Sequence, residues 1–303
     1  MSTDFTGVRQ SGAILQVLVA LLRTMRPRQW TKNAVVFAGI VFDGQLLVLG
    51  SLVRVVLAFV LLCLAAGTIY IINDLVDIEK DRQHPKKRNR PLASGQLPVP
   101  VAIAAAILLP IIALGTALIL SPPFALVLLL YILLHIAYSF WLKNVVIIDV
   151  FTIAAGFMLR VVAGVVVIEV ARFSPWLYVC TGFLALFLAV GKRRQELLLM
   201  AEKAESVRPI YKAYTPGLLD EMLRLVMTGS VLSYALYTFE ANPARPAMLL
   251  TIPFVLYGIM RYLYLIHVEG KGSAPDEVLL EDAPLLGAIL LWGLSVLVAL
   301  YLS

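Results

Sequence analysis

Asn73, Asp74, Asp77 and Asp81 stand at the polar end of an apolar run that extends from Leu52 to Ile72. On a helix continued to Asp81, at about 3.6 residues per turn, the four share one face within an arc of roughly 100°. Four oxygen-bearing side chains on one stripe suit a hard divalent cation, with Asn73, Asp77 and Asp81 as its nearest ligands. Mg²⁺ is usually held by one or two carboxylates together with substrate phosphates, not by a full protein cage, and Mn²⁺ would fit the same donors. The stripe therefore predicts a phosphorylated ligand bound partly through metal. A solvated, charged helix end explains any one of these acids but not four at this spacing.

The residues that follow are basic. Arg82, Lys86, Lys87, Arg88 and Arg90 are punctuated by Pro85, Pro91 and Gly95, and Lys86 and Arg90 are candidate phosphate contacts. A second charged stretch runs Gly191-Lys192-Arg193-Arg194-Gln195-Glu196. Arginine offers a fork that matches phosphate oxygens, whereas lysine acts as a point charge, so Lys192, Arg193 and Glu196 join the candidate site. Inside-loop charge bias alone explains these cations equally well. Taken together, one acid-rich and one base-rich loop describe a ligand with phosphate at both ends, metal at one of them. Lys32 follows Trp30, and Tyr138 and Lys143 close an apolar run; all three are candidates for substrate contact, with Lys32, Lys143 and the deeper Arg160 on the phosphate of a lipid. Asp149 and Arg160 lie within a single apolar run. Eleven residues separate them, which places them near one face but about 16 Å apart along a helix axis. Ionisable residues at such depth usually face a polar cavity, which is the expectation for both, against the alternative of a contact with a neighbouring helix. Gly156 and Gly164 would allow close helix packing there.

The elements that must carry these groups are membrane helices. Of 303 residues, 61% are hydrophobic and 15% charged, against about half and one quarter in soluble domains. An all-α integral membrane protein follows. Nine spans are predicted, at 33–49, 52–72, 98–120, 123–141, 145–168, 174–191, 220–240, 247–267 and 284–302, each long enough for the hydrocarbon layer. Residues 11–25 form a short helix lying in the interface, and the basic segment to residue 32 leads into the bundle. No break in composition divides residues 1–303, so a single domain is expected. With the N-terminus on the cytoplasmic side, 21 Lys and Arg fall in inside segments and 3, Arg54, Arg172 and Arg245, outside. This asymmetry predicts an N-in topology in the cell membrane with the charged loops facing the cytosol. It also accounts for the net charge of +6 without nucleic acid. Cys63 and Cys180 lie in apolar runs and read as packing residues. His135 reads as a packed core histidine and His84 as part of its loop; His267 has no evident partner. The acidic segment 275–282 starts a helix, with Asp282 before Pro284. No zinc, redox, Walker or serine-hydrolase motif occurs. A homo-oligomer is neither required nor excluded.

The Asn-Asp-x-x-Asp-x-x-x-Asp pattern from Asn73 to Asp81 resembles the first aspartate-rich motif of the UbiA-type intramembrane prenyltransferases, and nine spans match that superfamily. Its members usually carry a second acidic motif after the sixth span, where this chain has Gly191-Lys192-Arg193-Arg194-Gln195-Glu196. The departure weakens the case for a prenyl-diphosphate donor. A narrower branch is more similar. The stretch from Arg26 to Asn33, the stretch from His84 to Gly95, Leu159-Arg160 with Ala163-Gly164, and Gly191-Lys192-Arg193 resemble the decaprenyl-phosphate 5-phosphoribosyltransferases. That resemblance implies a UbiA-like bundle around a cytosol-facing polar cavity. It implies transfer of 5-phosphoribosyl from phosphoribosyl pyrophosphate (PRPP) to decaprenyl phosphate, or another polyprenyl phosphate, with Mg²⁺. It further implies a product used for a lipid-linked arabinose donor and cell-wall arabinan. The alternatives are a prenyltransferase acting on an aromatic acceptor, and a transporter that carries out no chemistry.

Overall fold

The computed structural model describes residues 6–170, 173–201, 209–241, 246–272 and 275–302. Arg172, Lys203, Arg208 and Arg245 of the charge count lie outside the described residues, as do the side chains of Arg9, Asp276 and Glu277. Every regular element described is helical. α1 (Thr6–Thr24) leads to a 3-10 segment, Pro27–Phe37, and the short α2 (Ala38–Phe42). There follow α3 (Leu49–Val76), α4 (Ile78–Gln83), α5 (Val99–Leu120), α6 (Pro122–Phe140), α7 (Ile148–Val167), α8 (Pro175–Ala201), α9 (Pro216–Ala241), α10 (Ile252–His267), α11 (Pro275–Glu281) and α12 (Ala283–Tyr301).

Seven helical segments among the described residues are long and apolar enough to cross a membrane: Leu49–Val76, Val99–Leu120, Pro122–Phe140, Ile148–Val167, Pro175–Leu199, Pro246–His267 and Ala283–Tyr301. Two of the nine expected spans are not among them. The first, 33–49, is not one helix. The chain winds as 3-10 to Phe37, makes the five residues of α2, and turns at Gly44 with φ 78, a conformation glycine adopts without the Cβ penalty. The other, 220–240, lies on α9. That helix has the length, 26 residues, but Asp220, Glu221 and Arg224 in its opening turns and Glu240 near its end dilute its apolar surface.

Consecutive long helices pack against one another, α5 on α3, α7 on α6 and on α8, α9 on α8. The chain thus returns its charged loops to one end of the bundle. Ion pairs close two of the connections between successive helices: Arg194 on α8 meets Asp220 at the start of α9, and Arg261 on α10 meets Asp282 before α12. Two cores lie on either side of α7. One joins Leu62, Phe124, Tyr131 and Val167 to Val36 and Ile40; the other holds Phe187, Leu219, Tyr262 and Leu265, with Val150 and Ala154 from α7. α7 is therefore the wall between halves, and it carries both Asp149 and Arg160. The 3-10 segment crosses it at Gly164, where a methyl group would stand 1.9 Å from the Val36 carbonyl oxygen, which bears out the close packing expected there. Outward-facing Ile103, Ile107, Ile111 and Ile119 of α5 are exposed, as a lipid-facing surface requires.

Candidate active site

The acidic stripe survives a small break in its helix. Asp77, at φ −95 and ψ 8, ends α3 and starts α4. The helical hydrogen bonds nonetheless continue through it: the Asp77 amide donates to the Asn73 carbonyl at 3.0 Å, and the Asp81 amide to the Asp77 carbonyl at 2.8 Å. Asn73 and Asp77 are half-buried, with Lys80 Nζ 3.7 Å from Asp77 Oδ1. Asp74 and Asp81 are buried. Arg90 Nη1 donates to Asp74 Oδ1 at 3.1 Å and to Asp81 Oδ2 at 2.6 Å. Arg26 Nη2 donates to the same Asp74 oxygen at 2.6 Å, with its guanidinium 4.7 Å from the centre of the Tyr70 ring. Arg90, expected as a phosphate contact, is thus held between two carboxylates that would otherwise be buried and unpaired. Lys86 is exposed, and its amide donates to His84 Nδ1 at 3.2 Å, so His84 shapes the turn as expected. No group of three or more His, Cys, Asp or Glu among the described residues is placed to hold a metal unaided. The donor set of one amide and half-buried to buried carboxylates suits a divalent ion completed by phosphate oxygens.

The basic stretch expected as a loop lies within α8 and contains a different construction. Arg193, 2% exposed, donates from Nε to Asp149 Oδ2 at 2.5 Å, from Nη1 to Glu196 Oε2 at 2.5 Å and Tyr211 OH at 3.0 Å, and from Nη2 to Tyr138 OH at 2.9 Å. Four of the five guanidinium N–H groups are spent on protein oxygens. Arg193, expected to grip phosphate, instead has its charge met where it stands by the two carboxylates of Asp149 and Glu196. Lys192 Nζ lies 3.9 Å from Glu196 Oε1 and stays half-buried. Tyr214 adds a second tie to Asp149, donating to Oδ1 at 2.6 Å while accepting from the Ile147 amide at 2.7 Å. Burial pushes the Tyr214 phenol up, and its bond to the Asp149 carboxylate adds to the shift. Lys143 sits half-buried on a 3-10 turn, Leu142–Asn144, that packs against a second one, Pro209–Lys212.

Asp149 and Arg160 do not pair with each other, as their spacing required. Both are buried, and each makes the contact with a neighbouring helix that was the alternative expectation. Asp149 is fully buried and bridges α7 to α8 through Arg193. Arg160 reaches Asn33 Oδ1 from Nε and Tyr131 OH from Nη2, each at 2.7 Å, and so ties α7 to the 3-10 segment and to α6. Lys32 is half-buried on that same segment. The structure therefore assembles Asn73, Asp74, Asp77, Asp81 and Arg90 in one cluster and Tyr138, Asp149, Lys192, Arg193 and Glu196 in another. Sequence reasoning missed Arg26 as the Asp74 partner, Asn33 and Tyr131 around Arg160, and Tyr211 and Tyr214. The last two offered a signal, tyrosines three apart in a polar loop. His267 also gains partners, Asp220 Oδ1 at 3.2 Å and the Leu263 carbonyl at 3.0 Å.

A helical membrane bundle that gathers an acidic stripe and a basic hub at one end is the architecture of an intramembrane transferase for phosphorylated substrates. The model of the UbiA prenyltransferase family matches residues 34–276, and the chain belongs to that family. It is 35% identical to the decaprenyl-phosphate phosphoribosyltransferase of Corynebacterium glutamicum, over 93% of this chain and 87% of that protein. To the decaprenyl-phosphate phosphoribosyltransferase of Mycolicibacterium smegmatis it is 34% identical, over 97% and 96%. Among solved structures, a UbiA homolog from Archaeoglobus fulgidus bound to GPP and Mg²⁺ superimposes with a TM-score of 0.70 at 20% identity, covering 91% of this chain and 96% of that one.

Proposed function

We propose that this protein transfers the 5-phosphoribosyl group of PRPP to decaprenyl phosphate, or a polyprenyl phosphate of similar kind, and releases pyrophosphate. The observation that carries this reading is the contrast between the two charged stretches. A stripe of Asn73, Asp77 and Asp81 runs across the junction of α3 and α4, whereas the position after α8's apolar run is held by Lys192, Arg193 and Arg194 and offers no second carboxylate stripe for a prenyl diphosphate. The naming of the C. glutamicum and M. smegmatis relatives supports the same substrates. Asn73, Asp77 and Asp81 would hold a divalent ion, Mg²⁺ or Mn²⁺, whose charge offsets the diphosphate of the donor. Asp74 orients the site through Arg26 and Arg90. Lys86, Lys192 and Lys143 offer point charges for phosphate oxygens. One oxygen of the acceptor phosphate forms the new bond to the ribose anomeric carbon as the bond to the diphosphate breaks. Already anionic, it needs no strong general base.

The nine-crossing arrangement belongs to this reading. The 3-10 segment with α2 would supply the first crossing and α9 the seventh, with the N-terminus inside and the charged end on the cytosol, as the 21-to-3 division of Lys and Arg favours. The test is direct. Purified protein with Mg²⁺, PRPP and a polyprenyl phosphate is expected to release pyrophosphate and form a lipid-linked phosphoribose. Turnover with a prenyl diphosphate and an aromatic acceptor instead would replace this function by the prenyltransferase one, and release from neither pair would leave a transporter.

A further inference from the structure

Among the described residues, the other buried or half-buried arginines each have a carboxylate. Arg26 and Arg90 have Asp74, Arg193 has Asp149 and Glu196, Arg194 has Asp220, and Arg261 has Asp282. Arg160 is the exception. It is 7% exposed and eleven residues farther along α7 than Asp149, so about 16 Å deeper in the bundle. Its partners are neutral: the Asn33 amide oxygen, the Tyr131 hydroxyl, and the faces of Tyr131 and Phe157, whose centres lie 4.8 and 5.1 Å from Cζ. These contacts orient the guanidinium without cancelling its charge, and a buried unpaired charge at membrane depth is costly. Nη1 makes no hydrogen bond to a described residue. Beside it lies His135, packed edge-on to the same Tyr131 ring at 4.4 Å. Its Nε2 is buried and has no partner. Both atoms approach Gly156: a methyl group there would lie 2.9 Å from His135 Nε2 and 3.5 Å from Arg160 Nη1. An unneutralised cation and an unsatisfied ring nitrogen thus converge where α7 presents bare backbone.

Resting on the function proposed above, we infer that Arg160 and His135 form a phosphate subsite inside the bundle, filled by a phosphomonoester of one substrate. A phosphate oxygen accepting from Arg160 Nη1 and His135 Nε2 supplies the missing negative charge and satisfies the orphaned nitrogen together. Asn33 ties this subsite to the segment Pro27–Phe37, which begins one residue after Arg26, the partner of Asp74. Two substrate groups share the required chemistry, the phosphate of the polyprenyl acceptor and the 5-phosphate of PRPP.

The test compares wild-type protein with His135→Leu, His135→Gln and Arg160→Gln, varying PRPP and a polyprenyl phosphate separately. Loss of one charge-assisted hydrogen bond is worth about tenfold in affinity. His135→Leu and Arg160→Gln are therefore expected to raise KM about tenfold for one substrate and leave the other nearly unchanged. The substrate that responds identifies the phosphate. His135→Gln, which keeps an N–H within reach, should restore most of the loss. Without substrate, His135→Leu should melt no lower than wild type, because Nε2 has no bond to lose. The subsite is overturned if neither KM moves, if both move together, or if His135→Leu melts well below wild type. Should wild-type protein release no pyrophosphate, the function above fails first. The subsite then stands or falls on whether polyprenyl phosphate or inorganic phosphate raises the melting temperature of wild type but not of His135→Leu.

Discussion

The two charged clusters use the same residue types to opposite ends. After α3, Arg26 and Arg90 hold Asp74 and Asp81 while remaining 33% and 29% exposed. Arg26 precedes the 3-10 segment and Arg90 lies in the loop before α5. In the other cluster Arg193 is 2% exposed, sits within a helix, and meets two carboxylates and two tyrosine hydroxyls. In the function proposed above the first set of pairs is exchangeable: a divalent ion would draw on Asp81, and the freed Arg90 guanidinium could turn to phosphate. The second set cannot open without stranding Asp149, which has no access to water. The difference teaches that charge in a loop does not identify a ligand contact; exposure and the number of oxygens already engaged do. In the function proposed above, phosphate recognition near α8 accordingly falls to Lys192 and Lys143, and Arg193 ties α8 to α7 through Asp149.

Breaking the second cluster gives the largest expected effect. Arg193→Met leaves Asp149 and Glu196 without their guanidinium, and removal of one partner from a buried pair costs about 3–5 kcal/mol. A fall in the thermal melting temperature, with activity lost alongside it, is the expected result. Unchanged melting with a raised KM for PRPP alone would return Arg193 to the role of phosphate ligand and erase the contrast. The first cluster predicts the reverse pattern. Asp77 is half-buried and touches only Lys80 among the ion pairs described, so Asp77→Ala should melt close to wild type. Loss of a metal-holding carboxylate should nonetheless lower turnover by about 100-fold. Asp77→Ala that retains most activity would remove the metal role of the stripe. Chelation of divalent ions should match the Asp77→Ala loss, and Mg²⁺ added back should restore activity in wild type alone.

What could be read in the sequence follows from which forces act locally. Helix positions came from apolar runs of the length a bilayer demands, and seven of the nine meet that criterion in the structure. The Asn73–Asp81 stripe was legible because helical spacing is a local property, and the break at Asp77 hardly disturbs it. Partners were not legible. Arg26 is 48 residues from Asp74 and Arg193 is 44 from Asp149; only tertiary packing decides that these cations meet carboxylates. The 3-10 winding from Pro27 to Phe37 was hidden for a similar reason. Its register is fixed by the crossing at Gly164, where backbone meets backbone, and not by any pattern within the segment.

The finest test of the contrast is Tyr214, which ties the second cluster to the turn carrying Lys143. Ile147 precedes α7 with φ 70, a region where a β-branched residue is strained. Its amide is satisfied there by the Tyr214 hydroxyl, which also donates to Asp149. Tyr214→Phe removes both bonds, leaves Arg193 on Asp149, and exposes an unsatisfied amide, a loss of about 1–3 kcal/mol. A modest drop in melting temperature is expected, smaller than for Arg193→Met. If the turn positions Lys143 for phosphate, KM for the phosphate substrate it contacts should rise while kcat stays near wild type. Because the Tyr214 phenol is held above its ordinary range, the group donates as a neutral hydroxyl throughout the neutral range, so the ratio of variant to wild-type activity should be flat with pH there. A ratio that varied between neutral and mildly alkaline pH would mean that the phenol titrates, and that the tie between Asp149 and the Lys143 turn is looser than its two short hydrogen bonds require.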